Sequence, residues 1–137
     1  MEFKTSDGIE LYFELDGEGV VCLYLHGSPG YWSKSFQHFS GECLEENLQM
    51  VYLDQRGCGR SEHSPTQDYS LSRLIDDIEE LRVFLRIEEW FVMGHSFGGI
   101  LAVNYAHRFS RQNSWAYFVK YNSQYVSFVW TSNEDRF

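Results

Sequence analysis

The clearest chemistry in this sequence lies in five residues. Gly94-His95-Ser96-Phe97-Gly98 places a serine hydroxyl between two glycines, directly after the apolar run Trp90 to Met93 and before the apolar stretch Ile100 to Ala106. A strand that turns sharply into a helix forces the serine into strained backbone geometry, which flanking glycines make sterically possible. The hydroxyl is then presented at a helix N-terminus, where the helix dipole and the N–H of Phe97 favour developing negative charge. The pattern predicts Ser96 as the nucleophile of an acyl transfer, with the Phe97 backbone as one oxyanion donor. The alternative is a turn made of small residues for packing alone.

Two further loops belong with it. His26-Gly27-Ser28-Pro29-Gly30 follows the apolar run Val20 to Leu25 and forms a tight loop whose backbone can face the same oxyanion. Ser28 is the expected second backbone donor; nothing around its hydroxyl forces exposure, so it is not the expected nucleophile. Asp54-Gln55-Arg56-Gly57-Cys58-Gly59-Arg60-Ser61 follows Met50 to Leu53. Asp54 and Arg56 are expected to pin this loop by hydrogen bonds, and Cys58, on an exposed loop, to have no reactive role. Gly57-Cys58-Gly59 is half of a dinucleotide fingerprint, but Glu62 stands where the third glycine belongs, so no cofactor is expected.

The elements that must position these loops read as alternating strands and helices. Ile9 to Leu15 alternates like a strand, Val20 to Leu25 reads as a strand buried on both faces, and Met50 to Leu53 and Trp90 to Met93 are short buried strands. Tyr31 to Leu48 is compatible with helix. Leu71 to Leu85 is the clearest helix: Leu71, Leu74, Ile75, Ile78, Leu81 and Leu85 recur at three- and four-residue steps, and Asp76, Asp77, Glu79 and Glu80 are read as a solvated face. Ile100 to Ala106 reads as a buried helix. This alternation predicts an α/β chain with a doubly wound, mostly parallel sheet, in which all three loops leave the carboxyl ends of strands and meet at one crevice.

Composition bounds the partners. The chain has 137 residues, with 20 acidic against 11 basic side chains and a formal charge of −9, so nucleic acid and anionic membrane surfaces are not expected partners. The basic residues stand singly among acids. The longest apolar run falls far short of the roughly 18 residues a membrane helix requires, and the start carries no apolar leader. Cys22, Cys43 and Cys58 are an odd set without CxxC spacing, which disfavours a disulfide framework or a zinc site and fits a cytoplasmic setting. No metal is expected.

Composition also changes after Phe109. Every glycine, proline, leucine and isoleucine lies before residue 110, whereas residues 110–137 hold Trp115, Tyr117, Phe118, Tyr121, Tyr125, Phe128, Trp130 and Phe137. Two readings stay open for this aromatic-rich tail: a genuine element, with alternation that could make a hairpin around Asn122-Ser123, or material foreign to the ancestral fold.

The order of HGSPG, DQRGCGRS, the acidic amphipathic helix and MGHSFGG resembles the α/β-hydrolase superfamily, and DQRGCGRS resembles its proline iminopeptidase branch. The resemblance covers residues 1–109, roughly the N-terminal half of such a fold, and ends where the composition changes. It implies a serine hydrolase acting on an ester or peptide bond of a small-molecule or peptide substrate through Ser96; a serine there, not an aspartate, sets aside the dehalogenase and epoxide-hydrolase mechanisms. It also implies an aspartate and then a histidine downstream of the nucleophile. The sequence after Ser96 offers only Asp135 and His107, and His107 would stand about 15 Å along a helix from the serine, whereas a general base must lie within roughly 2.6–3.2 Å. Upstream, His95 should point away from the hydroxyl, His26 is expected to anchor its loop, His38 to lie on the surface, and His63 could swing into the crevice. An alternative expectation is therefore a catalytically incomplete member of the superfamily.

Overall fold

A computed structural model describes residues 1–27, 30–109, 113–122 and 125–131, the last two stretches as backbone strands. Among the described residues, seven strands form one sheet: β1 (Glu2–Lys4), β2 (Glu10–Asp16), β3 (Val20–Leu25), β4 (Leu48–Leu53), β5 (Trp90–His95), β6 (Asn113–Asn122) and β7 (Tyr125–Thr131). They lie in the order β1-β2-β4-β3-β5-β6-β7. The central run β4-β3-β5-β6 is parallel, while β1, β2 and β7 join it by antiparallel pairing.

The continuous apolar runs form the central strands because the sheet is covered on both sides. Successive side chains point to opposite faces. Leu23 and Leu25 of β3, Val51 and Leu53 of β4, and Trp90 and Val92 of β5 enter one core. Cys22, Tyr24, Met50 and Tyr52 enter a second, against which Phe91 and Met93 pack. Each fully buried side chain of this size contributes about 1.5–3 kcal/mol relative to exposure, so a one-residue register slip would exchange the two cores.

Helices supply the two layers. The segment expected to be helix-compatible resolves into α1 (Ser33–Phe36), a π-helical turn (Gln37–Gly41) and α2 (Glu42–Glu45). It covers the smaller core, with the Phe36 ring stacked on Tyr24 at 3.9 Å between centroids. On the other face lie α3 (Leu71–Phe84), capped by Ser70, and α4 (Phe97–Arg108). Leu74, Ile75, Ile78 and Leu81 of α3 and Leu101, Ala102 and Tyr105 of α4 fill the larger core.

One part of the pattern reading is corrected here. Asp77 does not belong to a solvated face. It is 2% exposed, because the Arg56 guanidinium reaches it from the loop after β4 with Nε–Oδ2 at 2.6 Å and Nη2–Oδ1 at 2.7 Å. Glu79 and Glu80 are also engaged, by Arg82 and Arg73. β1 is an edge strand that lies before the strand expected over Ile9 to Leu15.

β6 pairs in parallel with β5, and β7 folds back on β6 with Asn122 opposite Tyr125. Among the described residues, no helix is long and apolar enough to cross a membrane.

Candidate active site

The three loops singled out by their motifs leave the carboxyl ends of β3, β4 and β5, adjacent parallel strands, and so meet at one edge of the sheet. Ser96 stands between β5 and α4 with φ 55° and ψ −118°, a combination in which a non-glycine residue is strained by about 1–3 kcal/mol. Its neighbours show why the turn is so tight. A methyl group at Gly94 would fall on the backbone of Gly98 and Gly99, and one at Gly98 on the carbonyls of Leu25 and His26. Only the absence of both lets the elbow press against the end of β3.

That pressing brings the first loop to the serine. A methyl placed on Gly27 would lie 3.4 Å from Ser96 Cβ. Phe97 is the first residue of α4, a position whose N–H has no partner inside a helix. The Ser96 side chain is exposed and, among the described residues, has no hydrogen-bond partner. Ser28 lies outside the described residues, as does Asp135.

The histidines are dispersed. His26 is fully buried: its Nε2 accepts the Gln55 N–H at 3.0 Å and its Nδ1 lies 2.8 Å from the Gly27 carbonyl, to which it donates. Burial lowers its pKa, and this pairing requires the neutral ring protonated on Nδ1. Both nitrogens are committed, so His26 is a loop anchor. His95 lines a hollow of about 270 Å³ with Tyr24, Phe36 and Phe39, and its Nδ1 would lie 3.3 Å from a methyl placed on Gly27. His107 and His38 are exposed, on α4 and on the π-helical turn. His63 is exposed and lines a cavity of about 410 Å³ that it shares with Phe97, Tyr69, Leu74, Gln55 and Cys58. This cavity beside the elbow was not visible in the sequence, because its walls come from a strand end, a loop, α3 and α4.

The loop after β4 is saturated with partners. Asp54 accepts from the Ser33 N–H at 2.9 Å, the Ser33 hydroxyl at 2.7 Å and Arg60 Nε at 2.8 Å. Burial opposes ionisation of its carboxyl, but these donors outweigh it and hold the pKa below the usual value. Arg60 also pairs with Glu14 at 2.6 Å and lies 3.9 Å over the Tyr12 ring. Arg56 grips Asp77 and also Asp7 at 2.9 Å. Cys58 is buried, not exposed, and burial pushes its thiol pKa up, which disfavours the thiolate. Among the described residues, no three histidine, cysteine or carboxylate groups converge as metal ligands.

Comparison with known proteins agrees with this geometry. A proline iminopeptidase of Neisseria gonorrhoeae is 36% identical over 110 residues, covering 75% of this chain and 34% of its own. A proline iminopeptidase of Arabidopsis thaliana is 38% identical over 107 residues, covering 75% of this chain and 27% of its own. The chain thus spans about a third of the length of the curated relatives it matches. Among solved structures, an esterase from Exiguobacterium antarcticum superposes with a TM-score of 0.78 at 27% identity, over 87% of this chain and 44% of its own. The profile of the alpha/beta hydrolase fold matches residues 21–114, a span that holds the ends of β3, β4 and β5 together with the strained serine. By that match, and by the sheet order that seats Ser96 against Gly27, the chain belongs to the alpha/beta hydrolase fold family.

Proposed function

We propose that this chain carries the nucleophile side of a serine hydrolase that cleaves an ester or peptide bond, of the proline iminopeptidase kind. Ser96 Oγ attacks the acyl carbon, and the carbonyl electrons move onto oxygen. The N–H groups of Phe97 and Ser28 receive that oxyanion. The proton lost by the Ser96 hydroxyl passes to the alcohol or amine as its bond to the acyl carbon breaks, and water then adds to the acyl group, returning a proton to Ser96 Oγ as the acid is released. The observation that carries the reading is the exposed serine at φ 55° at the head of α4, packed against Gly27. Residues 1–109 form the N-terminal part of the hydrolase domain in this reading, and 110–137 a segment of different character. The substrate is a small molecule or peptide.

One observation favours a second reading, a catalytically incomplete member of the family: Ser96 Oγ has no hydrogen-bond partner among the described residues, so none of them stands as a base ready to take its proton. Without that base, turnover relies on the oxyanion hole and binding, which leave about 10³–10⁴-fold over water in serine hydrolases stripped of their triad. The test combines turnover with mapping. An activated aryl ester and a prolyl arylamide should be hydrolysed barely above background, and an aryl fluorophosphonate should label Ser96 faster than any other serine. Labelling spread evenly over the exposed serines would overturn the nucleophile reading, and fast turnover abolished by Ser96→Ala would overturn the incomplete one.

A further inference from the structure

Apart from the solvent-exposed imidazole of His63, the cavity of about 410 Å³ beside the elbow offers a ligand no charge. Arg56 lines it, yet all five of its N–H groups are spent: Nε and Nη2 donate to Asp77, Nη1 and Nη2 to Asp7, and Nη1 also to the Asp68 carbonyl. Among the described residues no carboxylate lines the cavity, and burial favours the neutral Cys58 thiol. A charged group entering it would lose water and gain no counter-charge, which is costly. The volume falls within the roughly 300–1,000 Å³ of small-molecule sites, and the lining suits an uncharged occupant.

Two aromatic rings stand among its walls, and one of them is held in advance. Tyr69 is 41% exposed, but its hydroxyl accepts the N–H of the buried Ser64 at 3.0 Å. The edge of its ring lies on Gly57, where a methyl group would fall 2.7 Å from Cε1. A wall ordered before the ligand arrives loses little freedom on binding. The second ring, Phe97, directly follows Ser96, so the two Cα atoms are about 3.8 Å apart. In the reading proposed above, on which this inference rests, the Phe97 N–H receives the oxyanion, and a substrate bonded to Ser96 has the cavity within reach. Rings pack well against rings in offset or edge-to-face arrangements.

We propose that this cavity is a specificity pocket for an uncharged aromatic ring of the substrate, with Tyr69 and Phe97 as the residues that hold the ring and Cys58 as the small side chain that leaves room for it. The loop after β4 then does more than brace the sheet: its glycine seats Tyr69, and its arginine, by spending every donor elsewhere, keeps the pocket neutral.

The test separates the pocket from the nucleophile. Benzyl alcohol, benzoate and benzylammonium are titrated into the full chain and into Ser96→Ala, followed by amide ¹H–¹⁵N shifts. Benzyl alcohol is expected to give saturable shifts at Gly57, Cys58 and Phe97 in both proteins, and the two charged probes to bind at least about tenfold more weakly. Cys58→Phe, which fills the cavity, and Tyr69→Ala, which opens it, should each weaken benzyl alcohol by about tenfold. Circular dichroism and urea midpoints check that each variant is folded, and Tyr69→Ala, at a half-exposed position, carries the test if Cys58→Phe does not fold. Use of the pocket by a substrate is read with two fluorophosphonates, one with a benzyl and one with a methyl group on phosphorus. In both, the Oγ–P bond forms, the P–F bond breaks, fluoride leaves and the hydroxyl proton goes to water. Relative to its hydrolysis in water, the benzyl reagent should label Ser96 at least about tenfold faster than the methyl reagent, and Tyr69→Ala should bring the ratio toward one. Absence of shifts at Gly57 and Phe97, equal binding of the charged probes, benzyl alcohol binding unchanged in the folded variants, or equal labelling by the two reagents would each overturn the proposal. So would the same shifts on raising the protein concentration without a probe, which would make a second copy of the chain the occupant. If neither reagent labels Ser96 while benzyl alcohol binds as expected, the nucleophile reading fails by itself, and the titrations still support a pocket for an uncharged ring.

Discussion

The loop after β4 and the turn after β5 face the same crevice and are built on opposite terms. In the first, charge is abundant and satisfied: Asp54, Arg56 and Arg60 reach β2, α3, Ser33 and the loop before β2, and most of their surface is gone. In the second there is no charge. The serine is exposed, without a side-chain partner among the described residues, and held in a backbone conformation that costs energy. The conspicuous residues are scaffold, and the proposed nucleophile is distinguished by strain and by the absence of a side-chain partner among the described residues. Saturation of hydrogen bonds makes a group immobile and unreactive; an unsatisfied hydroxyl on an over-determined turn is available to a substrate.

Each side of this contrast can be tested by substitution. The largest effect should come from Arg56→Ala, which leaves the buried Asp77 carboxylate with Arg73 as its one remaining cation among the described residues and frees Asp7. Breaking a buried pair from one side costs about 3–5 kcal/mol, read as a fall in the urea midpoint. A loss below about 1 kcal/mol would place the network with surface ion pairs and erase the contrast.

Acid should act on the same side more gradually. The hydrogen bond from Arg56 holds the Asp7 carboxyl well below the usual range. For Glu14, burial pushes upward, but hydrogen bonds from Lys34 and Arg60 outweigh it and bring the pKa to about 2. Carboxylates lowered in this way stabilise the fold fully above their ordinary pKa and lose that contribution as pH falls through the folded value. The urea midpoint should therefore drop from about pH 4.5 toward pH 2. Burial of neutral His26 adds an earlier loss that begins below about pH 6.5 and should be absent in His26→Asn. A midpoint that does not change from pH 6 to pH 3 would contradict both.

The smallest effect is the most telling about the elbow. Ser96→Gly removes a strain of about 1–3 kcal/mol and adds the entropic cost of a glycine, about 0.5–1 kcal/mol. No capping bond is lost, because the Ser96 side chain makes none to α4. The urea midpoint should rise by the equivalent of about 0.5–1 kcal/mol. A fall would mean that the serine contributes to stability and is not a site of stored strain.

How far the sequence could be read follows the same division. β3 runs from Val20 to Leu25 as its apolar pattern predicted, and α3 ends one residue short of the predicted Leu85, because burial repeated every second or fourth residue writes itself into the local order of side chains. The parallel sheet, the elbow and the convergence of three loops were legible for that reason. Asp77 was misread because its face of α3 is decided by Arg56, which arrives from a loop far away in the chain and leaves no periodic trace. The pairing of Gln55 with His26 was illegible on the same ground, although His26 was read as a loop anchor. The π-helical turn at Gln37–Gly41 has no signature that separates it from ordinary helix. Placing Cys58 on an exposed loop failed because flanking glycines mark a tight turn but say nothing of what packs over it, which here includes the Tyr69 ring on Gly57.

The clashes that forbid a side chain at Gly94 and Gly98 bear on how such a chain changes over generations. Both glycines are required by the seating of α4 on the end of β3, whatever happens at Ser96. A lineage released from selection for turnover would keep the glycines as long as it kept the fold, whereas the serine, the strained member of the set, would be the first to drift, toward glycine above all. Within this family, then, two glycines four residues apart record ancestry, and only the residue midway between them records whether chemistry is still under selection.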